Sequence, residues 1–108
     1  MLRIPKAFKL FGQTIAVEWV HRLTKEQDAV GEARFRKNCI VLQQNNEEIS
    51  RPQTQIEATF CHELVHLIFF MMDEDDLRKN EKLVDNFGRL LHQALTTMEY
   101  ETESPTLP

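Results

Sequence analysis

Glycine is scarce in this chain of 108 residues, with three in all, and the two cysteines, Cys39 and Cys61, lack C-x-x-C spacing. A hydrophobic content of 42% and a charged content of 28% exclude a fibrous or disordered chain. Two reduced, buried thiols are the plain expectation for the cysteines, with a disulfide or ligation of a metal by Cys61 as the alternatives. Long hydrophobic runs are also missing. The longest, Leu67–Met72, falls far short of the roughly 20 residues that span a bilayer, so no membrane partner is expected. The 13 Lys and Arg residues are scattered through a chain of net charge −4, which excludes the basic footprint of a nucleic-acid binder. The first nine residues are interrupted by Arg3, Lys6 and Lys9 and lack the apolar core of a signal peptide, so a cytoplasmic location is expected. There is no internal repeat and no low-complexity tract. At this length the chain is one domain with one modest core and no separate substrate domain. Any active site is therefore an open groove.

Residues 8 to 43 have strand character. Ile15, Val17 and Trp19 alternate with Ala16, Glu18 and Val20, and Gly12-Gln13 predicts a two-residue turn back from Phe8–Phe11. His21 ends this strand. A second hairpin is predicted at Lys37-Asn38, joining Glu32–Arg36 to the β-rich run Cys39-Ile40-Val41-Leu42. The polar segment Gln43–Ile49 then carries the chain to a helix. Two helix starts compete, because Ser50-x-x-Gln53 and Thr54-x-x-Glu57 both have capping-box form. The helix runs to about Met72 and is apolar on several faces (Ile56, Phe60, Leu64, Val65, Phe69), which marks it as the central helix of the domain. After the acidic turn Asp73–Asp76, the residues Leu83, Val84, Phe87, Leu90, Leu91, Ala94, Leu95 and Met98 recur at helical spacing and predict a second, amphipathic helix of about 20 residues. The tail Glu101–Pro108 has two prolines and little to bury, so it is expected to fray, leaving 1–100 as the domain. The fold class is α+β: a small N-terminal antiparallel β-sheet packed on a two-helix hairpin.

The central helix carries His62-Glu63-Leu64-Val65-His66, the pattern His-Glu-x-x-His. Residues four apart share a helix face, so both imidazoles reach one metal ion about 2.0–2.1 Å away. Glu63 is offset around the helix by about 100°, where it holds a water as general base instead of ligating. With this chain's 4 His and its share of Glu, the pattern arises by chance roughly once in sixty such sequences, so the rest of the chain must corroborate it. The bland alternative is a pair of core histidines satisfied by backbone or carboxylate groups.

A catalytic zinc takes three protein ligands and leaves a fourth position open. If the two helices fold back tightly about residues 73–74, Glu81 comes level with His66 and Asp85 level with His62. Glu81 is then the third ligand. Asp85, one turn on, accepts a hydrogen bond from the non-metal nitrogen of a ligand histidine, His62 by its height. Gly88 follows on nearly the same face, where a missing side chain lets the helices approach. Without the histidines opposite, Glu81 and Asp85 would read as a solvated charged face. His92 comes level with Gln55, about two turns from the metal, and reads as a surface histidine.

His62–His66 followed by Asn80-Glu81-Lys82-Leu83-Val84-Asp85 resembles the zincin metallopeptidases whose third ligand is a glutamate. The chain looks closest to the small ImmA/IrrE-type family, often phage or prophage encoded, whose downstream signature Glu-x-Glu-Ala-Asn-x-Phe-Ala is met here by Glu81 and Phe87. Leu83, Val84 and Asp85 depart from it. The resemblance covers residues 57–95 by motif. It implies a minimal zincin-like fold with one Zn2+ per chain on His62, His66 and Glu81, and Glu63 as general base and later proton donor to the leaving amine. It further implies a protein or peptide substrate lying along an exposed strand edge. Larger zincins add a Tyr or His that stabilises the oxyanion; Tyr100, about five turns beyond Glu81, is too distant to serve. The expected function is zinc-dependent hydrolysis of peptide bonds. The alternatives are a non-catalytic zinc-stabilised protein-binding module, which needs the same ligands but not Glu63, and a metal-free interaction protein.

Overall fold

The computed structural model describes residues 2–20, 31–43, 45–46, 49–50 and 52–101. The expected strand end at His21 and the tail beyond residue 101 lie outside these residues. The elements run β1 (Ala7–Leu10), β2 (Gln13–Val20), β3 (Gly31–Arg34), a 3-10 turn (Phe35–Lys37), β4 (Cys39–Gln43), the short pair β5 (Asn45–Asn46) and β6 (Ile49–Ser50), then α1 (Gln53–Met71), α2 (Asp75–Arg78) and α3 (Glu81–Thr97).

The fold is α+β, with a four-stranded sheet in the order β1-β2-β4-β3. Both expected hairpins form, β1 with β2 and β3 with β4. The third pairing, β2 with β4, is parallel, so the sheet is mixed and not wholly antiparallel. Alternation along a strand fixes which face each residue takes but not the direction of the neighbouring strand, and this is why the parallel pair was not legible. β4 is buried along its whole length, as befits an inner strand covered on both faces. β3 is left at one edge.

Turn chemistry sets both hairpins. The first turn falls on Phe11-Gly12, one residue before the expected position, and both residues have positive φ (48° and 75°), the backbone that matches strand twist in two-residue loops. The second ends at Asn38, left-handed at φ 50°, whose amide donates to Gln13 Oε1 at 2.8 Å and ties the two hairpins together.

α1 starts behind Pro52, whose carbonyl accepts from the amides of Gln55 and Ile56, and neither capping box forms. One face of α1 places Ile56, Phe60, Cys61 and Leu67 against Ile15, Val17, Ile40 and Leu42 of the sheet. Its opposite face sets Val65 and Phe69 against Val84 of α3. Each such side chain removed from water stabilises the fold by about 1.5–3 kcal/mol, and α1 is the layer through which both halves of the core are joined. Cys39 and Cys61 are free and buried, and burial pushes the Cys61 thiol up to about 11, with Glu57 adding to it.

The helix ends on Asp73, left-handed at φ 60°, with the Asp73 amide donating to Phe70 and the Glu74 amide to Phe69, a Schellman stop made by aspartate in place of glycine. The chain then makes the single turn α2, and α3 begins only at Glu81, capped by Asn80 Oδ1, which accepts from the Leu83 amide at 3.1 Å. The connection is thus longer than a tight hairpin, yet it returns α3 antiparallel along α1. Among the described residues no helix is long and apolar enough to cross a membrane.

Candidate functional site

His62, Glu63 and His66 lie in the middle of α1, where the backbone is held on both sides by the core. Glu81 is the first residue of α3, a position where the helix dipole favours a carboxylate. Its oxygens reach back across the helix pair, with Oε1 3.3 Å from His66 Nε2 and Oε2 3.5 Å from His62 Nε2. One donor atom from each of the three residues lies within 4.8 Å of the other two. Tetrahedral ligands about 2.0–2.1 Å from zinc stand roughly 3.3–3.4 Å from one another. Each ring faces a different oxygen of the Glu81 carboxylate, so both oxygens stand close to the ligand spacing of a zinc site, and the donor set of two imidazoles and one carboxylate fits zinc.

The close approach of the helices depends on Gly88. A Cβ there would lie 3.1 Å from His62 Cα and 3.2 Å from His62 N, so α3 rests directly on the backbone of the first histidine. Asp85, one turn before Gly88 on the same side, comes to 3.7 Å from His62 Nδ1, the nitrogen turned away from Glu81. That exceeds hydrogen-bond length. The other Asp85 oxygen binds Arg89 Nε at 3.1 Å.

Electrostatics separate the roles. Burial lowers the pKa of His66, with His62 and the Arg78 guanidinium acting the same way, while Glu81 and the Arg78 backbone carbonyl oppose it. The ring is therefore neutral at neutral pH, as a ligand must be. Its Nδ1 is buried without a hydrogen bond of standard geometry, and the Arg78 carbonyl is the acceptor that acts on the ring. Glu63 is 9% exposed. Burial, then the Glu81 and Glu32 carboxylates, push it up to about 7, against a hydrogen bond from the Ala33 amide. A carboxylate so placed gives and takes protons near neutral pH.

The wall facing α1 is β3. A Cβ on Gly31 would collide with Thr59 Cγ2 and lie 3.2 Å from Glu63 Cγ, so this strand runs against the helix at the position of the candidate base. Gly31, Glu32 and Ala33 of β3, Phe35 of the turn that follows it, Glu63 and His66 of α1, Arg78 and Lys79 at the end of α2, and Glu81 of α3 line a groove of about 380 Å³. Phe35 meets His66 edge-on with ring centroids 6.5 Å apart.

Several groups escaped the sequence reading. His92 is not a surface histidine: its Nε2 lies 3.0 Å from Oε1 of Glu57, a carboxylate only 1% exposed that also accepts from the Leu2 amide. Glu57 had suggested a helix cap; its true partner is on α3, nearly level with it by the same antiparallel geometry that matches His66 to Glu81. Arg78 and the Ala33 amide carried no sequence signal, since one sits in a single-turn helix and the other is main chain. Among the described residues the one tyrosine, Tyr100, is 81% exposed beyond the end of α3 and supplies nothing to the groove.

A helix bearing His-Glu-x-x-His, backed by a sheet and faced by a second helix that brings a glutamate to both histidines, is the arrangement of the zincin-like proteins. The model of the SprT-like family matches residues 5–103, and the chain belongs to that family, whose domains are related to zincin metallopeptidases. No curated protein and no solved structure matches the chain. The broad expectation of a zincin relative stands on this match; the narrower resemblance to ImmA/IrrE-type enzymes is not shown by it.

Proposed function

We propose that the protein is a zinc-dependent metallopeptidase, with His62, His66 and Glu81 holding the ion and Glu63 acting as general base. The observation that carries this reading is the convergence of the three side chains, one donor atom from each lying within 4.8 Å of the other two, with the two Glu81 oxygens 3.3 and 3.5 Å from the two imidazole Nε2 atoms. Zinc bound there supplies Lewis acidity, polarising a carbonyl and acidifying a water. The chain's own residues do the rest. The Glu63 carboxylate takes the proton of the attacking water and returns it to the departing amine. Asp85 stands 3.7 Å from His62 Nδ1, beyond hydrogen-bond length, so its part is to bring negative charge to the face of the ring turned away from Glu81.

The substrate is a polypeptide in extended form. β3 is one of the two edge strands of the sheet and its Ala33 amide already meets Glu63, so a peptide laid along this edge passes the candidate base. The finer resemblance to ImmA/IrrE-type enzymes rests on Glu81 and Phe87 and assigns the same roles. A zinc-stabilised binding module would use the same ligands but give Glu63 no task; the burial of Glu63 beside them favours the catalytic reading.

The test joins metal analysis to one substitution. Protein purified without chelator should carry one zinc per chain, and Glu63→Gln should retain that zinc while losing cleavage of unfolded protein substrates. A wild-type chain that holds zinc and cleaves nothing would point to the binding module. A chain that takes up no zinc at neutral pH would overturn both.

A further inference from the structure

Beyond the groove, the same wall opens into a second cavity of about 680 Å³, lined by Glu32, Arg34, Phe35, Arg36, Lys37, Phe70 and Arg78. It shares Glu32, Phe35 and Arg78 with the candidate catalytic groove, so the two adjoin. The floor is aromatic. Phe35 stacks on Phe70 with centroids 4.8 Å apart, and the Arg78 guanidinium lies 4.8 Å above the Phe35 ring. Four cations face one carboxylate there, in a chain of net charge −4. That carboxylate, Glu32, is bound by Arg34 at 3.3 Å. Arg78 is held by the exposed Asp75 at 3.2 Å. Arg36 and Lys37 are exposed and have no ion pair among the described residues.

We propose that this cavity is a specificity subsite that takes acidic side chains of the polypeptide substrate, and this deepens and rests on the peptidase reading above. A strand paired along β3 advances about 3.3 Å per residue, so Phe35 lies roughly two to three residues from the point where Ala33 meets Glu63. At Phe35 the backbone leaves the sheet for a 3-10 turn, strand pairing ends, and the next substrate side chain meets Arg36, Lys37 and Arg78. The Phe35–Phe70 stack receives the aliphatic part of a Glu side chain and the guanidinium edge receives its carboxylate. An extended phosphate backbone suits this face less well, because the adjoining groove is lined by Glu63 and Glu81.

Binding, measured apart from cleavage, tests this. Fluorescent peptides that share one frame and differ only in a central run of Glu, Gln or Lys are titrated into the full chain and into its Glu63→Gln variant. The Glu peptide should bind about tenfold more tightly than the Gln peptide at low salt, the effect of two or three partly exposed ion pairs, and the difference should shrink as salt rises. Replacing both exposed cations, Arg36→Glu with Lys37→Glu, should reverse the order in favour of the Lys peptide while the thermal midpoint stays put. Equal affinity for the Glu and Gln peptides, no binding of any peptide, or an order unmoved by the double variant would overturn the subsite. So would displacement of the Glu peptide by an oligonucleotide of equal charge at equal or lower concentration. Cleavage without acidic preference removes the subsite and keeps the peptidase; acid-selective binding without cleavage does the reverse.

Discussion

Oε1 of Glu81 lies 3.3 Å from Nε2 of His66, so the first residue of α3 meets the last histidine of the α1 motif. Glu81 is 70% exposed at its side chain, and an exposed carboxylate so near an imidazole contributes little to the bare fold. In the proposed zinc site its contribution is to metal binding. Glu81→Ala should leave the thermal midpoint of the metal-free chain nearly unchanged and weaken zinc binding by more than about a hundredfold, beyond the 10–100-fold typical for groups that merely support a ligand. Competition against a chromophoric chelator measures this, and an unaltered zinc affinity would remove Glu81 from the site.

Gly88 carries the matching prediction for the helix interface. Alanine is the better helix former by about 0.5–1 kcal/mol, but its Cβ would press on His62 backbone atoms at 3.1 and 3.2 Å, and these cannot swing aside as a side-chain tip can. Forced overpacking of this kind typically costs about 1–3 kcal/mol, so the steric term wins. Gly88→Ala should lower unfolding free energy and weaken zinc binding together, because moving α3 moves Glu81. Denaturant unfolding with and without zinc reads both; a more stable variant with full zinc affinity would show that the interface yields freely.

The Glu81–His66 match was legible in the sequence, and so was a close helix approach at Gly88, though not its partner. Apolar residues set the two helices, folding them back about residues 73–74 matched Glu81 to His66 and Asp85 to His62, and Gly88 was placed on nearly the same face as a point of close approach. The arithmetic survived the unexpected single turn α2 because Asn80 restarts α3 at the right height. Where sequence failed, the reason is physical. His92 and Glu57 are polar types that belong on a surface unless each satisfies the other, and that pairing joins different helices. The cationic cavity was invisible because Arg78 comes from α2 and joins Arg34, Arg36 and Lys37 only in space. The parallel pairing of β2 with β4 depends on chain direction, which alternation does not encode.

The Glu57–His92 pair makes stability depend on acid. Burial raises the Glu57 pKa, but hydrogen bonds from His92, the Leu2 amide and Gln53 outweigh it and hold the carboxyl below its ordinary value. A carboxylate with a depressed folded pKa stabilises the fold fully above its unfolded value, about 4.3, and that contribution fades as pH falls through the folded value. Glu57→Gln should therefore be less stable than wild type at neutral pH, by about 1–3 kcal/mol for a buried charge-assisted contact. The difference should narrow only below about pH 4.3. Unfolding curves across the acid range check this; a difference that stayed constant down to pH 3 would show that the charge of Glu57 is immaterial.

Substitution at Gly31 separates the proposed catalysis from the proposed metal binding. A side chain there would run into Thr59 Cγ2 and crowd Glu63 Cγ at 3.2 Å. Thr59 is not free to turn away without loss, since its hydroxyl donates to the Gln55 carbonyl at 2.8 Å. The strain falls on the spacing between β3 and α1, where Glu63 takes its hydrogen bond from Ala33 and where the substrate strand is proposed to lie. The three proposed ligands sit on α1 and α3, and none of them is among the atoms that a Gly31 Cβ would meet. Gly31→Ala should thus keep zinc affinity within a few-fold of wild type and lower kcat/KM by about a hundredfold, the scale expected when a reacting group is displaced by about 1 Å. Most of the loss should fall in kcat if Glu63 is displaced and in KM if the strand edge is. A variant that lost zinc together with activity would mean that β3 supports the metal ligands themselves, and the assignment of this wall to base and substrate would have to be withdrawn.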